Sequence, residues 1–122
     1  MIQNIPPLGI LIILVNVIVS LRGFKDDIFF NKYRFEIRKL REGDYFRLFG
    51  SGFLHVNTTH LLFNMMTFYF FVSFVFSALG TIEFSILYFG SLITGNLFAY
   101  AFHYNQPNYS AVGASGAVTG VL

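Results

Sequence analysis

The sequence predicts an all-α membrane protein, a polytopic helix bundle with three spans and the start of a fourth. Three observations predict it. Hydrophobic residues fill 55% of the 122 positions and charged residues 11%, with a mean hydropathy of +0.62; soluble domains carry roughly a quarter charged residues. All eight Lys and Arg lie between Arg22 and Arg47, and five of the six acids share that stretch, the sixth being Glu83. Residues 1–21, 48–82 and 84–122 hold no charged side chain, and they contain apolar runs near the roughly 20 residues that a helix needs to cross a bilayer. A domain this small has too much surface to leave whole elements uncharged in water. The distribution therefore argues against a soluble globular fold, a disordered chain and a nucleic-acid-binding basic domain. The net charge of +2 arises in one loop and says little about partners.

The first span is residues 5–21, IPPLGILIILVNVIVSL. Pro6 and Pro7 suit a helix start, where a missing N–H costs least. No Lys or Arg precedes Arg22, so the segment lacks the basic region of a cleaved leader and is read as a retained span. Residues 22–57 form an amphipathic first loop. Its charges, confined to 22–47, alternate with Phe29, Phe30, Tyr33, Phe35, Ile37, Leu40, Tyr45 and Phe46. Aromatics interleaved with cations suit the membrane–water interface. Tyr33, Ile37 and Leu40 have helical spacing and Tyr33, Phe35 and Ile37 strand spacing, which leaves the local structure open. The second span is 58–79, dense in Phe and stopping near Gly80-Thr81. A short loop holding Glu83 follows, then a third span at 84–102. There Gly90/Thr94 and Ser91/Gly95 recur four apart, the spacing that permits close helix contact in lipid. After a polar loop at 103–110, residues 111–122 open a fourth span. That stretch covers only about half a bilayer, so the sequence reads as truncated.

Two constellations could carry chemistry. The first is His55-Val56-Asn57-Thr58-Thr59-His60-Leu61-Leu62-Phe63-Asn64. Strongly polar groups in a span are costly and mark function by default. On a helix, His60 and Asn64 lie one turn apart on one face and can aim two donors at one spot; His55 need not share that face. The structural alternative is that both residues only join neighbouring helices. A metal site of His55, His60 and His103 is disfavoured, since no Asp, Glu or Cys accompanies them and their spacing fits no zinc pattern. The sequence has no cysteine, which excludes a Cys nucleophile and a disulfide scaffold.

The second constellation is Gly113-Ala114-Ser115-Gly116, followed by Gly120. Glycines beside a serine admit other backbones and a substrate. A helix N-terminus supplies unpaired N–H groups suited to a developing oxyanion. Gly116 and Gly120 form the G-x-x-x-G spacing that lets another helix pack closely. Each motif alone is weak. Together they combine a serine, which needs a base, with a separate pair of donors fit for acyl transfer.

Their order resembles the rhomboid family of intramembrane serine proteases from about Tyr45 to Leu122. The resemblance rests on Phe46-Arg47, Ser51-Gly52-Phe53-Leu54-His55, His60-Leu61-Leu62-Phe63-Asn64 and Gly113-Ala114-Ser115-Gly116. It implies Ser115 as nucleophile and the His60 and Asn64 side chains, with the Ser115 N–H, as oxyanion hole. His55 would be a structural residue atop the second helix, and Arg47 a brace of the first loop. The family's general base is a histidine on a later helix, beyond this sequence; His103 matches no family motif. The 122 residues alone are therefore expected to be inactive. Phe76 stands where many relatives carry a Glu, and Thr119 where an aromatic is frequent. The resemblance implies a multi-pass protein of a bacterial plasma membrane, with the first loop outside. The positive-inside rule points the other way. It also implies a membrane-protein substrate with a transmembrane helix, and no cofactor, metal or nucleic acid. The competing readings are an inactive relative that binds membrane clients and an unrelated multipass transporter fragment.

Overall fold

A computed structural model describes residues 5–112. Helix α1 runs over Pro7–Lys25, with Pro6 and Pro7 at its start and Arg22 and Lys25 in its last turn, where cations meet the negative end of the helix dipole. It thus continues four residues past the apolar run. Asp26 ends it and begins the next helix: its carboxylate accepts the Phe29 N–H at 3.1 Å and caps α2, Asp27–Tyr33. The amphipathic loop proves to be a chain of short elements: α2, the two-residue strand β1 (Phe35–Glu36), α3 (Ile37–Arg41), α4 (Arg47–Gly50) and a 3₁₀ turn at Ser51–Phe53. Both periodicities read from its sequence are therefore used, one after the other.

The remaining helical segment, α5, spans Thr58–Phe102, interrupted at Gly80 by φ 84° and ψ 175°. That region of backbone space is almost closed to side-chain-bearing residues. The chain doubles back there. Phe68 and Tyr88 are twenty positions apart, about 30 Å along a straight helix, yet their ring centroids lie 5.6 Å apart. The expected loop around Glu83 is instead a break at one glycine, with Glu83 already helical.

Burial within α5 follows helical spacing. Leu61, Met65, Phe68 and Val72 are buried in the first limb, and Phe84, Tyr88 and Leu92 in the second. Phe68, Val72, Phe84, Tyr88 and Leu92, with Ile12 of α1 and Phe53, form the main core. The opposite faces, including Phe63, Phe70, Phe74, Ile82, Phe98 and Phe102, are exposed. Close approach occurs at Gly52, where a Cβ would stand 2.5 Å from Leu92 Cδ1. By contrast, the small residues Gly90 and Gly95 meet nothing within 4 Å among the described residues, so their spacing serves no contact there. One buried polar contact joins α1 to α5: Asn16 donates to the Ile12 carbonyl at 2.9 Å and to the Tyr88 hydroxyl at 3.4 Å.

A second, smaller core of Phe35, Ile37 and Leu40 lies under the loop, packed by Leu48, Ala99, Tyr100 and Tyr109. Here β1 pairs antiparallel with β2, Ser110–Ala111, in the register Phe35↔Ala111 and Glu36↔Ser110. The first loop is thereby tied to the segment that leads into Gly113.

Candidate functional site

The site begins where α5 begins. The Asn57 carboxamide accepts the His60 N–H at 2.9 Å, the capping bond that satisfies an orphan donor of the first turn. This sets the direction in which His60 leaves the helix. His60 Nδ1 accepts the Val56 N–H at 3.3 Å. Its ring proton then belongs on Nε2, which is left as a donor. One turn on, Asn64 is half-buried, and its Nδ2 is a buried donor with no hydrogen-bond partner among the described residues. Bridging to a neighbouring helix, the structural alternative for this pair, is absent among the described residues.

His55 stands beside them. Its ring centroid is 4.8 Å from that of His60, edge to face, so the structure brings together two residues that sequence spacing alone did not place on one face. His55 is fully buried. Ser20 of α1 donates its hydroxyl proton to the Phe53 carbonyl at 2.8 Å and meets His55 Nδ1 at 2.8 Å. With that proton spent, Ser20 can only accept, so His55 Nδ1 is the donor and Nε2 carries the lone pair. His55 Nε2 is buried without a partner. Burial first, and then the charge His60 can carry, hold the His55 pKa down at about 4. His55 is thus a neutral residue that fastens the entry of α5 to α1. The sequence reading did not single out Ser20, which makes this contact; a serine late in an apolar span is the signal that could have marked it.

Arg47 lies eight positions before His55 and is almost fully buried. Its Nη1 donates to the carbonyls of Asn31 and Arg34, both at 2.8 Å, and its Nε to Asp44 Oδ2 at 2.8 Å. Glu36 Oε1 lies 3.6 Å from Nη1. One guanidinium thus gathers α2, β1 and the turn before α4, which a point-charge lysine could not do. At the far end, Asn96 of α5 donates to the Leu48 carbonyl at 2.6 Å and to Ser51 Oγ at 3.3 Å. His103 stacks on Tyr109 at 3.6 Å and meets Gln106 through Nδ1 at 2.7 Å. It belongs to the polar loop and has no contact with His55 or His60.

Ser115, with Gly113, Gly116 and Gly120, lies outside the described residues. What the structure does describe is the chain just before it, held to the first loop by the β1–β2 pair, by the Tyr109 carbonyl, which accepts the Ile37 N–H at 3.2 Å, and by Arg38, which donates to Asn108 Oδ1 at 2.6 Å.

Among the described residues, two helices are long and apolar enough to cross a membrane, α1 and the 45-residue α5, and in both most of the apolar stretch is not buried inside the fold. The class so defined is an integral membrane protein of mainly helical build. The rhomboid domain model matches residues 42–122. Over 81 residues, 66% of this chain, the sequence is 40% identical to "Putative rhomboid protease YdcA" of Bacillus subtilis (strain 168). The chain belongs to the rhomboid family, and intramembrane proteolysis is the activity of that family. The match covers 39% of that relative's length.

Proposed function

We propose that the full-length protein is an intramembrane serine endopeptidase that cuts peptide bonds in or beside the transmembrane helices of other membrane proteins. Ser115 Oγ attacks the scissile carbonyl while a histidine beyond residue 122 takes its proton. The carbonyl oxygen becomes an oxyanion, held by the His60 and Asn64 side chains and the Ser115 N–H. Collapse breaks the C–N bond, and the histidine returns the proton to the leaving amine; water, deprotonated by the same histidine, then attacks the Ser115 ester, the C–Oγ bond breaks, and the histidine returns that proton to Oγ. Gly113, Gly116 and Gly120 let the serine-bearing segment approach its neighbours. Arg47 and His55 support the site without touching substrate. No cofactor or metal enters. The spans are residues 5–21, 58–79 and 84–102, with a fourth opening at 111, in a bacterial plasma membrane with the first loop outside.

The observation that carries this reading is the donor pair at the head of α5. Asn64 Nδ2 is buried and, among the described residues, unpaired one turn from His60, whose Nδ1 is already occupied by Val56. An unpaired buried donor costs about 1–3 kcal/mol; an oxyanion forming in the transition state would satisfy it. The test is the full-length protein in detergent with a transmembrane-helix substrate. Ser115→Ala abolishes cleavage with unfolding unchanged. Asn64→Ala lowers kcat by about 10²–10³ and leaves KM nearly unchanged, the mark of a lost transition-state donor. A wild-type kcat in Asn64→Ala would return Asn64 to a packing role. A wild-type protein that captures such substrates without cutting them would favour the inactive client-binding reading.

A further inference from the structure

Beside α1 runs an apolar groove of about 360 Å³. Leu8, Leu11, Val15 and Val19 of α1 line it with Phe49 of α4 and Phe89 of α5, and Phe29 and Tyr33 of α2 also border it. From Leu8 to Val19 the groove follows α1 for about 16 Å. A helix about 10 Å across laid along that length would need several times the volume; one extended hydrocarbon chain would not. The charges begin beside those two rings. The Arg22 guanidinium stands 5.0 Å from the Phe29 ring centroid and Lys32 Nζ 5.4 Å from that of Tyr33, and those two rings are 5.0 Å apart. Of the nearby acids, Asp26 is already engaged by the Phe29 N–H and by Arg22, while Lys25 and Lys32 form no ion pair among the described residues.

We propose that this groove is a phospholipid site, holding one acyl chain of an anionic phospholipid along α1 with its phosphate between Arg22 and Lys32. The groove points its apolar length into the bilayer and its cationic mouth at the headgroup level, the arrangement that one lipid presents. It rests on reading α1 as a membrane span and is independent of the proteolytic reading, so its test uses no cleavage assay.

The full-length protein, purified in detergent, is titrated with phosphatidylglycerol or phosphatidylcholine and weighed intact by native mass spectrometry. One phosphatidylglycerol is retained in preference to phosphatidylcholine by about tenfold, from roughly two surface cations acting on the phosphate. The double variant Arg22→Gln/Lys32→Gln loses the preference but keeps weak binding of both lipids. Val15→Trp, which fills the groove, loses both. Because Val15→Trp could disturb folding, wild-type protein is also labelled with a phosphatidylglycerol carrying a diazirine on its acyl chain. Labels concentrate on residues 8–19 and 29–33. Labels spread evenly over the exposed faces of α5, or equal retention of the two lipids by wild type, would overturn the proposal. So would a disulfide-linked dimer through Leu11→Cys in place of lipid labelling, which would assign the groove to a second copy.

Discussion

The first loop and the α5 hairpin are held by opposite kinds of force. In the loop, the short elements α2, β1 and α3 could not persist alone, since helices this brief are marginal in water. They are tied by directional bonds: the four partners of Arg47, the Asp26 cap, the β1–β2 pair and Arg38 on Asn108. In the hairpin, Thr67 donates to the Phe63 carbonyl and Ser85 to the Thr81 carbonyl, each within its own limb. Its limbs meet through rings, Phe68 on Phe84 and Tyr88, and Phe76 on Phe84. In lipid there is little hydrophobic drive between helices, so shape and dispersion must hold them. The loop should therefore fail at single polar atoms and the hairpin at its one special backbone position.

The largest effect is expected from the loop. Arg47→Ala removes a buried cation and strands two carbonyls and the Glu36 and Asp44 carboxylates; breaking buried pairs of this kind costs about 3–5 kcal/mol. Chemical unfolding of full-length protein in detergent measures it, and Arg47→Lys should recover only part. A cost below that of an exposed ion pair such as Lys39–Glu42, which is worth roughly 0–1 kcal/mol, would break the contrast.

Next is the hairpin. A Cβ at Gly80 would meet nothing within 4 Å, so Gly80→Ala isolates the backbone cost of φ 84°, about 1–3 kcal/mol. A neutral result would show that the reversal does not depend on that backbone state.

The smallest effect sharpens the boundary between the two regions. His55 is held at about 4 in the fold against about 6.5 in the unfolded chain. Its contribution is complete above pH 6.5. It falls as the pH drops toward 4, because the unfolded chain takes up the proton first. The loss is about 1 kcal/mol between pH 6.5 and 5.5, read as a shift in the unfolding midpoint that His55→Gln abolishes. An unchanged midpoint over that range would detach His55 from the packing of α1.

Several features could be read from residues alone. The confinement of every charge but Glu83 to 22–47 marks a membrane protein, and the spaced motifs from Phe46 to Gly116 mark the rhomboid family. The reversal at Gly80 was legible as a stop, because Gly after a long apolar run is a familiar break. Its sharpness was not, since a loop and a single-residue turn differ only in one φ. The joining of His55 to Ser20 and of Phe35 to Ala111 was hidden for another reason. Each bond spans 35 positions or more, and no local period encodes a partner that far away.

What the sequence determined by itself is therefore what depends on composition and short spacing: the solvent the protein lives in, its helical segments, and the one-turn relation of His60 to Asn64. Tertiary structure alone decided which polar atoms are paired. Ser20 spends its proton on Phe53, and this makes His55 a donor through Nδ1. Val56 occupies His60 Nδ1, and nothing among the described residues occupies Asn64 Nδ2. A hydrogen bond is directional over a few tenths of an ångström, and such distances exist only once the distant segments have been brought together.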